Sequence, residues 1–141
     1  MKRILVGVDG SKESRDAAKF AADIARATGS QITIASAVQP VVRTVGAPEL
    51  VARDQVREAQ EHQQAEDVLK DIASSLGQGV VIETLVASGP PAAALADLAG
   101  SGDVDLVVVG HRGRNAVARA LLGSVADRLV QISPKSVLVV R

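Results

Sequence analysis

The stretch Asp105-Leu-Val-Val-Val-Gly110 decides the fold class of this chain. Its central residues are apolar without a break and rich in valine, which is typical of a strand that is covered on both faces. Strands of this kind occur in parallel sheets with helices packed on each side. The stretch therefore predicts an α/β domain with a central parallel strand.

Further strands and helices alternate around this segment. Short apolar runs predict strands over residues 3–8, 31–38, 80–87 and 136–140. Apolar residues at three- and four-residue spacing predict helices over about 12–28, 49–76, 90–99 and 116–132. The element order is β-α-β-α-β-α-β-α-β. Helices between successive strands imply right-handed crossovers and a mostly parallel sheet with helices on both faces.

Composition limits the class of protein. The chain has 141 residues, 47% of them hydrophobic, which fits a single domain with a substantial core. Lys plus Arg and Asp plus Glu number 16 each, so no positive field favours nucleic acid as a partner. The absence of cysteine excludes disulfides, thiolate metal sites and thiol catalysis.

The apolar runs also bear on location. None approaches the roughly 20 residues that span a bilayer. The first run is broken at Asp9, before a secretion signal could form. We therefore expect a cytoplasmic protein without membrane insertion.

Glycines cluster after the central strand. Gly110 and Gly113 are separated by two residues, and Gly123-Ser124 follows after nine more. Glycine can adopt positive φ and lets main-chain amides approach an anion closely, while a helix start adds further donors. The spacing predicts a phosphate cradle at a turn from strand to helix. Each glycine taken alone could equally serve only to end a strand or to turn a loop.

Two strand ends carry the unusual residues. The first ends in Val8-Asp9-Gly10-Ser11 and the fourth in Gly110-His-Arg-Gly113. In open α/β sheets the ligand binds beyond the carboxyl ends of strands, where the winding reverses. A flavodoxin-like order has that reversal between strands one and three, whereas the order 3-2-1-4-5 has it between strands one and four. Only the second order brings both motifs together, and periodicity leaves the choice open.

At these motifs the chain resembles the universal stress protein family, and within it the ATP-binding branch. The resemblance covers nearly the whole length. It rests on Ile4-Leu-Val-Gly-Val-Asp9-Gly-Ser11, on Asp105–Gly113 with Gly123-Ser124-Val125, and on Ser133-Pro134 before the last strand. It implies an open five-stranded parallel sheet of order 3-2-1-4-5 in one domain. It also implies ATP, or AMP or cyclic AMP, as ligand, with Mg²⁺ or Mn²⁺ as a candidate cation.

The resemblance further implies roles for individual residues. Those expected on the adenosine side are Gly7, Val8 and Asp9, with Val38 touching adenine through its backbone and Val109 near the base. Those expected around ribose and phosphates are Gly110, Gly113, Gly123, Ser124 and Val125.

Charged residues near these positions have two interpretations each. Asp9 could accept hydrogen bonds from ribose hydroxyls or share a divalent cation with phosphate, which makes it the candidate metal ligand. It could instead be an acid that caps the helix near Ser11. Arg112 and Arg114 could neutralise phosphate charge, or could be solvated loop cations.

Two residues depart from the pattern of the family. His111 stands where many relatives have a small hydroxyl residue, and we expect it to alter the phosphate end. Ser136 replaces a common proline, with an effect local to the last strand.

Two further expectations concern other parts of the chain. The apolar loop between Pro40 and Pro48 could close over adenine. His62 lies on the polar face of the long predicted helix, and we expect it to be solvated.

These patterns favour a nucleotide-binding stress-response regulator or sensor. No His, Glu or Lys is placed as an obvious base for activating water, so any ATP hydrolysis should be slow. The Gly-Lys-Ser/Thr of a P-loop and the Gly-x-Gly-x-x-Gly of a dinucleotide site are absent, and a receiver domain would need an Asp after strand three. The open alternative is a structural or interaction module that keeps the glycines without using them.

The last strand predicts a partner. Val137, Leu138, Val139 and Val140 lie on an expected sheet edge with unpaired amides and apolar side chains. A two-fold copy pairing antiparallel along this strand would cover them, and this is the usual homodimer of the family the chain resembles. The alternative is a lone edge protected by Arg141 and the terminal charge. We also expect a regulatory protein partner that the sequence does not identify.

Overall fold

The computed structural model of this chain describes residues 1–40, 47–113 and 122–141. Its strands are β1 (Arg3–Gly7), β2 (Gln31–Val38), β3 (Ile82–Ser88), β4 (Val104–Gly110) and β5 (Ser136–Val140). They form one parallel sheet in the order β3-β2-β1-β4-β5. The predicted α/β fold and strand order are confirmed.

Four helices cover the sheet within the described ranges. They are α1 (Lys12–Thr28), α2 (Pro48–Ser75), α3 (Pro91–Ser101) and α4 (Ser124–Ile132). The first two pack on one face and the last two on the other, so each face has its own core. Val108 points into one core while Val107 and Val109 point into the other, and all three are buried. The predicted double coverage of the central strand is confirmed.

The ends of α1 follow from local hydrogen bonding. The hydroxyl oxygen of Ser11 accepts the backbone N–H of Ser14 at 3.2 Å, which caps the first turn. Gly29 ends the helix with φ of 72°, the left-handed conformation that only glycine adopts readily. Both the start and the glycine stop agree with the sequence prediction.

Two predicted boundaries are wrong. The third strand begins at Ile82 rather than Val80, because Gly79, with φ of 86°, lies in a bend that includes Val80. The last helix does not run unbroken from residue 116, since Gly123 is extended and its N–H donates to the carbonyl of His111 at 2.6 Å. The described helix begins at Ser124, and the predicted stripe positions 117 and 121 lie outside the described residues.

The amino end of the sheet is tied by a carboxylate. Asp105 accepts the backbone N–H groups of Lys2 at 2.6 Å and Arg3 at 3.2 Å. These two hydrogen bonds hold the pKa of Asp105 below its ordinary value, and the bond from Lys2 has the larger effect.

Within the described ranges, no helix is both long and apolar enough to cross a bilayer.

Candidate functional site

A cavity of about 320 Å³ opens at the carboxyl ends of β1, β2 and β4. This is the edge at which the winding reverses between β1 and β4, and the volume lies at the lower end of the roughly 300–1,000 Å³ of small-molecule sites. Its wall includes ten of the residues that the sequence singled out. These are Gly7, Val8, Asp9, Val109, Gly110, Arg112, Gly113, Gly123, Ser124 and Val125. The two glycine-bearing motifs therefore face one hollow.

Val38 does not line this cavity in the structure. Its carbonyl accepts the N–H of Gly89 at 2.9 Å, across the pairing of β2 with β3. β1 ends at Gly7, opposite Ala35, so β2 extends beyond it and presents residues 35–37 to the hollow instead. The adenine contact expected from Val38 stays a prediction.

Four further lining residues were not found from the sequence. Ser14 belongs to the first turns of α1, Pro91 and Leu95 to the start of α3, and Ala126 to the start of α4. The proline and the leucine are four residues apart and therefore lie on one face of their helix. Residues four apart at the start of a helix that follows a strand end are the sequence pattern that could have predicted these two lining residues.

Asp9 connects the start of α1 to the glycine loop. Its Oδ1 accepts the N–H of Ser11 at 2.9 Å, so the helix-capping interpretation accounts for one oxygen. Its Oδ2 lies on the other side, where a Cβ added to Gly113 would approach it to 2.7 Å. Among described residues, Asp9 is the acidic member of the cavity wall, and no group of three or more His, Asp or Glu is arranged to hold a metal.

Close packing, not backbone strain, explains why glycine occupies these positions on the cavity wall. Gly110, Gly113 and Gly123 all lack the positive φ that the sequence argument gave as one reason for glycine. A Cβ on Gly110 would lie 2.8 Å from the carbonyl carbon of Glu13. On Gly123 it would lie 3.0 Å from the Cα of Arg112. Backbone atoms thus approach Gly110 and Gly123 closely, which corrects the predicted reason for glycine at these positions; the phosphate cradle itself stays a prediction.

The phosphate end predicted from sequence contains one described arginine. Arg112 lines the cavity and donates from Nε to Nε2 of His111 at 3.0 Å. Arg114 and residues 41–46 of the apolar loop lie outside the described residues. The side chain of His62 is about half exposed, and its Nε2 lies 3.5 Å from Oε1 of Glu66, which is also about half exposed; both agree with a solvated position.

The comparisons with known proteins agree with this architecture. The universal stress protein family model matches residues 1–141. A universal stress protein of Methanocaldococcus jannaschii is 34% identical over 142 residues, which cover 99% of this chain and 82% of that protein. The solved structure of UspA from Lactobacillus plantarum superposes with a TM-score of 0.83 at 26% identity, covering 99% of this chain and 97% of the other.

A second solved structure is similar in sequence as well as in fold. It is a universal stress protein in complex with cAMP, 31% identical, with a TM-score of 0.71 and coverage of 99% of this chain and 97% of that one. The match of the family model over the whole chain, together with these relatives, establishes that the chain belongs to the universal stress protein family.

Proposed function

We propose that the cavity binds an adenine nucleotide, with ATP as the leading candidate, and that the protein is a nucleotide-dependent stress regulator. One observation carries the proposal: Gly110, Gly113 and Gly123 line the same hollow, where a Cβ on Gly110 or Gly123 would meet backbone and a Cβ on Gly113 would meet the carboxylate of Asp9. Main-chain amides at such positions can approach phosphate oxygens without steric hindrance. Partner choice or conformation would then follow nucleotide occupancy.

The start of α4 supports a phosphate position. The helix begins at Ser124, and its N-cap residue, Gly123, has no side chain that could cap the first turn. The amides of that turn have no partner within the helix and carry the positive end of the helix dipole. Ser124 and Val125 lie on the cavity wall, so these donors and the hydroxyl of Ser124 are suitably placed for an anion.

The other half of the hollow suits a base and ribose. Gly7, Val109 and Leu95 give it an apolar wall, and a Cβ on Gly7 would lie 2.5 Å from Cδ1 of Leu95. The carboxylate of Asp9 on the cavity wall would accept from ribose hydroxyls or share Mg²⁺ or Mn²⁺ with the phosphates. The solved relative in complex with cAMP supports an adenine ligand, and makes AMP and cyclic AMP the alternatives to ATP.

Catalysis is a minor part of this proposal. Among the described residues on the cavity wall, Asp9 is the carboxylate, and none is a histidine, glutamate or lysine. Phosphoryl transfer depends on positioning and charge stabilisation as well as on a base or residue that orients water. We therefore expect at most slow ATP hydrolysis.

The proposed ligand can be detected directly. The chain has one Phe and no Trp or Tyr, so purified native protein should absorb strongly near 260 nm only when nucleotide is bound. Calorimetry with ATP, AMP, cyclic AMP and adenosine, and with GTP as the control base, would then rank the ligands. We expect the adenine compounds to bind and GTP to bind at least tenfold more weakly. No binding of any adenine compound would favour the interaction-module alternative.

Replacing Gly113 by alanine should weaken ATP binding and leave the fold intact. The new Cβ would lie 2.7 Å from Oδ2 of Asp9, and among the described residues that are not its chain neighbours, only this carboxylate lies within 4 Å. The carboxylate must move, which disturbs the proposed ribose and metal contacts. We expect a roughly tenfold loss of ATP affinity by calorimetry, equivalent to about 1.4 kcal/mol.

Gly102→Ala is the matched control for that variant. Gly102 has φ of −143° and nothing within 4 Å of an added Cβ. It should bind ATP as the wild type does, and its thermal unfolding should be unchanged. Equal ATP affinity in the Gly113 and Gly102 variants would contradict the assignment of Gly113 to the site.

We also propose a homodimer through β5, for which the exposed edge of the sheet is the support. Val137, Leu138, Val139 and Val140 are half-buried, and within the described sheet β5 pairs only with β4. An antiparallel copy would satisfy the outward amides. Light scattering at micromolar concentration should give twice the 14.5 kDa chain mass, and a monomer would reject the proposal.

A further inference from the structure

His111 links the cavity to the edge strand of the sheet. Its backbone N–H donates to the carbonyl of Val140 at 2.9 Å, and its ring Nδ1 lies 3.3 Å from the same oxygen. On the other side of the ring, Nε2 lies 3.0 Å from Nε of Arg112. The imidazole therefore lies between the last residue of β5 and a cation on the cavity wall.

These contacts favour one tautomer of the neutral ring. The Nε of an arginine always carries a hydrogen and cannot accept, so Nε2 of His111 must be the acceptor. A neutral imidazole with an acceptor at Nε2 has its hydrogen on Nδ1. That hydrogen points at the carbonyl of Val140, which accepts it. One tautomer satisfies both contacts, and the backbone of β5 selects it.

From this arrangement we propose that His111 is a positioning residue, which holds the guanidinium of Arg112 for the phosphate groups of the bound nucleotide. The inference rests on the proposed function. Arg112 lines the cavity beside Gly113, Gly123 and Ser124, the residues of the phosphate end. An arginine held in one orientation before the ligand arrives loses less side-chain entropy on binding. His111 supplies that orientation through Nε2, and it contributes no contact of its own to the ligand.

Two substitutions separate the contacts of the ring. His111→Asn places an amide near the position of Nδ1 and retains a donor toward Val140, but it removes the acceptor for Arg112. His111→Gln extends an amide oxygen toward the position of Nε2 and can restore that acceptor. The ligands are ATP and adenosine, because only ATP has phosphates for the guanidinium.

Calorimetry should distinguish these variants. We expect His111→Asn to lose about 3- to 10-fold in ATP affinity, the range for one hydrogen bond, with adenosine affinity unchanged. His111→Gln should keep ATP affinity near that of the wild type. In an Arg112→Ala background, His111→Asn should cause no further loss, because residues that act through one contact are not additive. Equal losses for ATP and adenosine, or additive losses with Arg112→Ala, would overturn the inference.

The tautomer gives a second readout that needs no ligand. Long-range ¹H–¹⁵N spectra of the imidazole in the nucleotide-free wild type should show hydrogen on Nδ1 and none on Nε2. ATP binding by a protein whose His111 carries the hydrogen on Nε2 would overturn this inference alone. Failure of the wild type to bind any adenine nucleotide would overturn the proposed function and this inference together.

Discussion

Gly110→Ala is expected to lower the free energy of unfolding by about 1–3 kcal/mol, the usual cost of forcing extra atoms into a packed region, and to lower ATP affinity by more than tenfold. The new Cβ would lie 2.8 Å from the carbonyl carbon of Glu13 and 2.9 Å from its oxygen. Both atoms belong to the backbone at the start of α1. A backbone cannot rotate away as a side chain can, so either the end of β4 or the helix must shift.

The lower ATP affinity follows from the position of Asp9 just before α1. The turn before it contains Asp9, whose Oδ1 is bonded to the N–H of Ser11. A shift of the helix therefore moves the carboxylate relative to Gly113, while a shift of β4 moves the glycine loop itself. Either response separates the two halves of the proposed site. We expect ATP affinity to fall by more than tenfold.

Urea denaturation and calorimetry on the same samples would measure both effects. Gly102→Ala is again the control, since an added Cβ there meets nothing within 4 Å. Gly113→Ala provides the contrast, because its Cβ meets a movable carboxylate rather than backbone. If the Gly110 variant unfolds at the same urea concentration as the Gly102 variant, the close approach of β4 to α1 would be contradicted.

Much of the fold could be predicted from periodicity because its causes are local. The run of valines before Gly110 is buried on both faces, and Gly29 adopts the left-handed conformation that a helix stop requires. The strand order could not be predicted in this way. Whether β1 pairs with β4 depends on which face each crossover helix covers, and local patterns do not contain that information. The resemblance to a family supplied it.

The parts of the candidate site that depend on the order of strands in the sheet were predicted from sequence, and those that depend on the register between β1 and β2 were missed. The glycine motifs lie at strand ends in any parallel sheet of this order, so their convergence followed from the order alone. The contribution of β2 depends on how far β2 extends beyond Gly7, and the register places residues 35–37 on the wall in addition to the predicted motifs. Similarly, α4 starts at Ser124 because Gly123 bonds to His111, a long-range contact that helical spacing does not reveal.

The second large effect is expected from Leu129, which anchors α4. Its side chain is 0% exposed within the core shared by α3, α4 and the sheet. Leu129→Ala removes this anchor and leaves a cavity, for which about 2–5 kcal/mol of lost stability is usual. The adjacent Val130 is 56% exposed, so Val130→Ala should be neutral or slightly stabilising, because alanine is the better helix former.

Loss of the Leu129 side chain should also affect ATP binding, through the first turn of α4. Leu129 holds α4 against the sheet, and the first turn of α4 presents Ser124 and Val125 to the cavity. If that turn binds phosphate, ATP should stabilise the folded protein by about 2.7 kcal/mol at a hundredfold excess over its Kd. A loosened helix should retain less of this stabilisation at the same ATP concentration.

Thermal unfolding of the wild type and of the two variants, each with and without ATP, tests both steps. We expect a large fall in melting temperature for Leu129→Ala, none for Val130→Ala, and an ATP-induced rise that is smaller in the first variant than in the second. Successive helical residues lie about 100° apart around the axis, so the pair reports which side of α4 faces the core. Equal destabilisation by both changes would mean that the helix is rotated from the orientation described. An undiminished ATP response in a destabilised Leu129→Ala variant would mean that the first turn of α4 does not hold the phosphates.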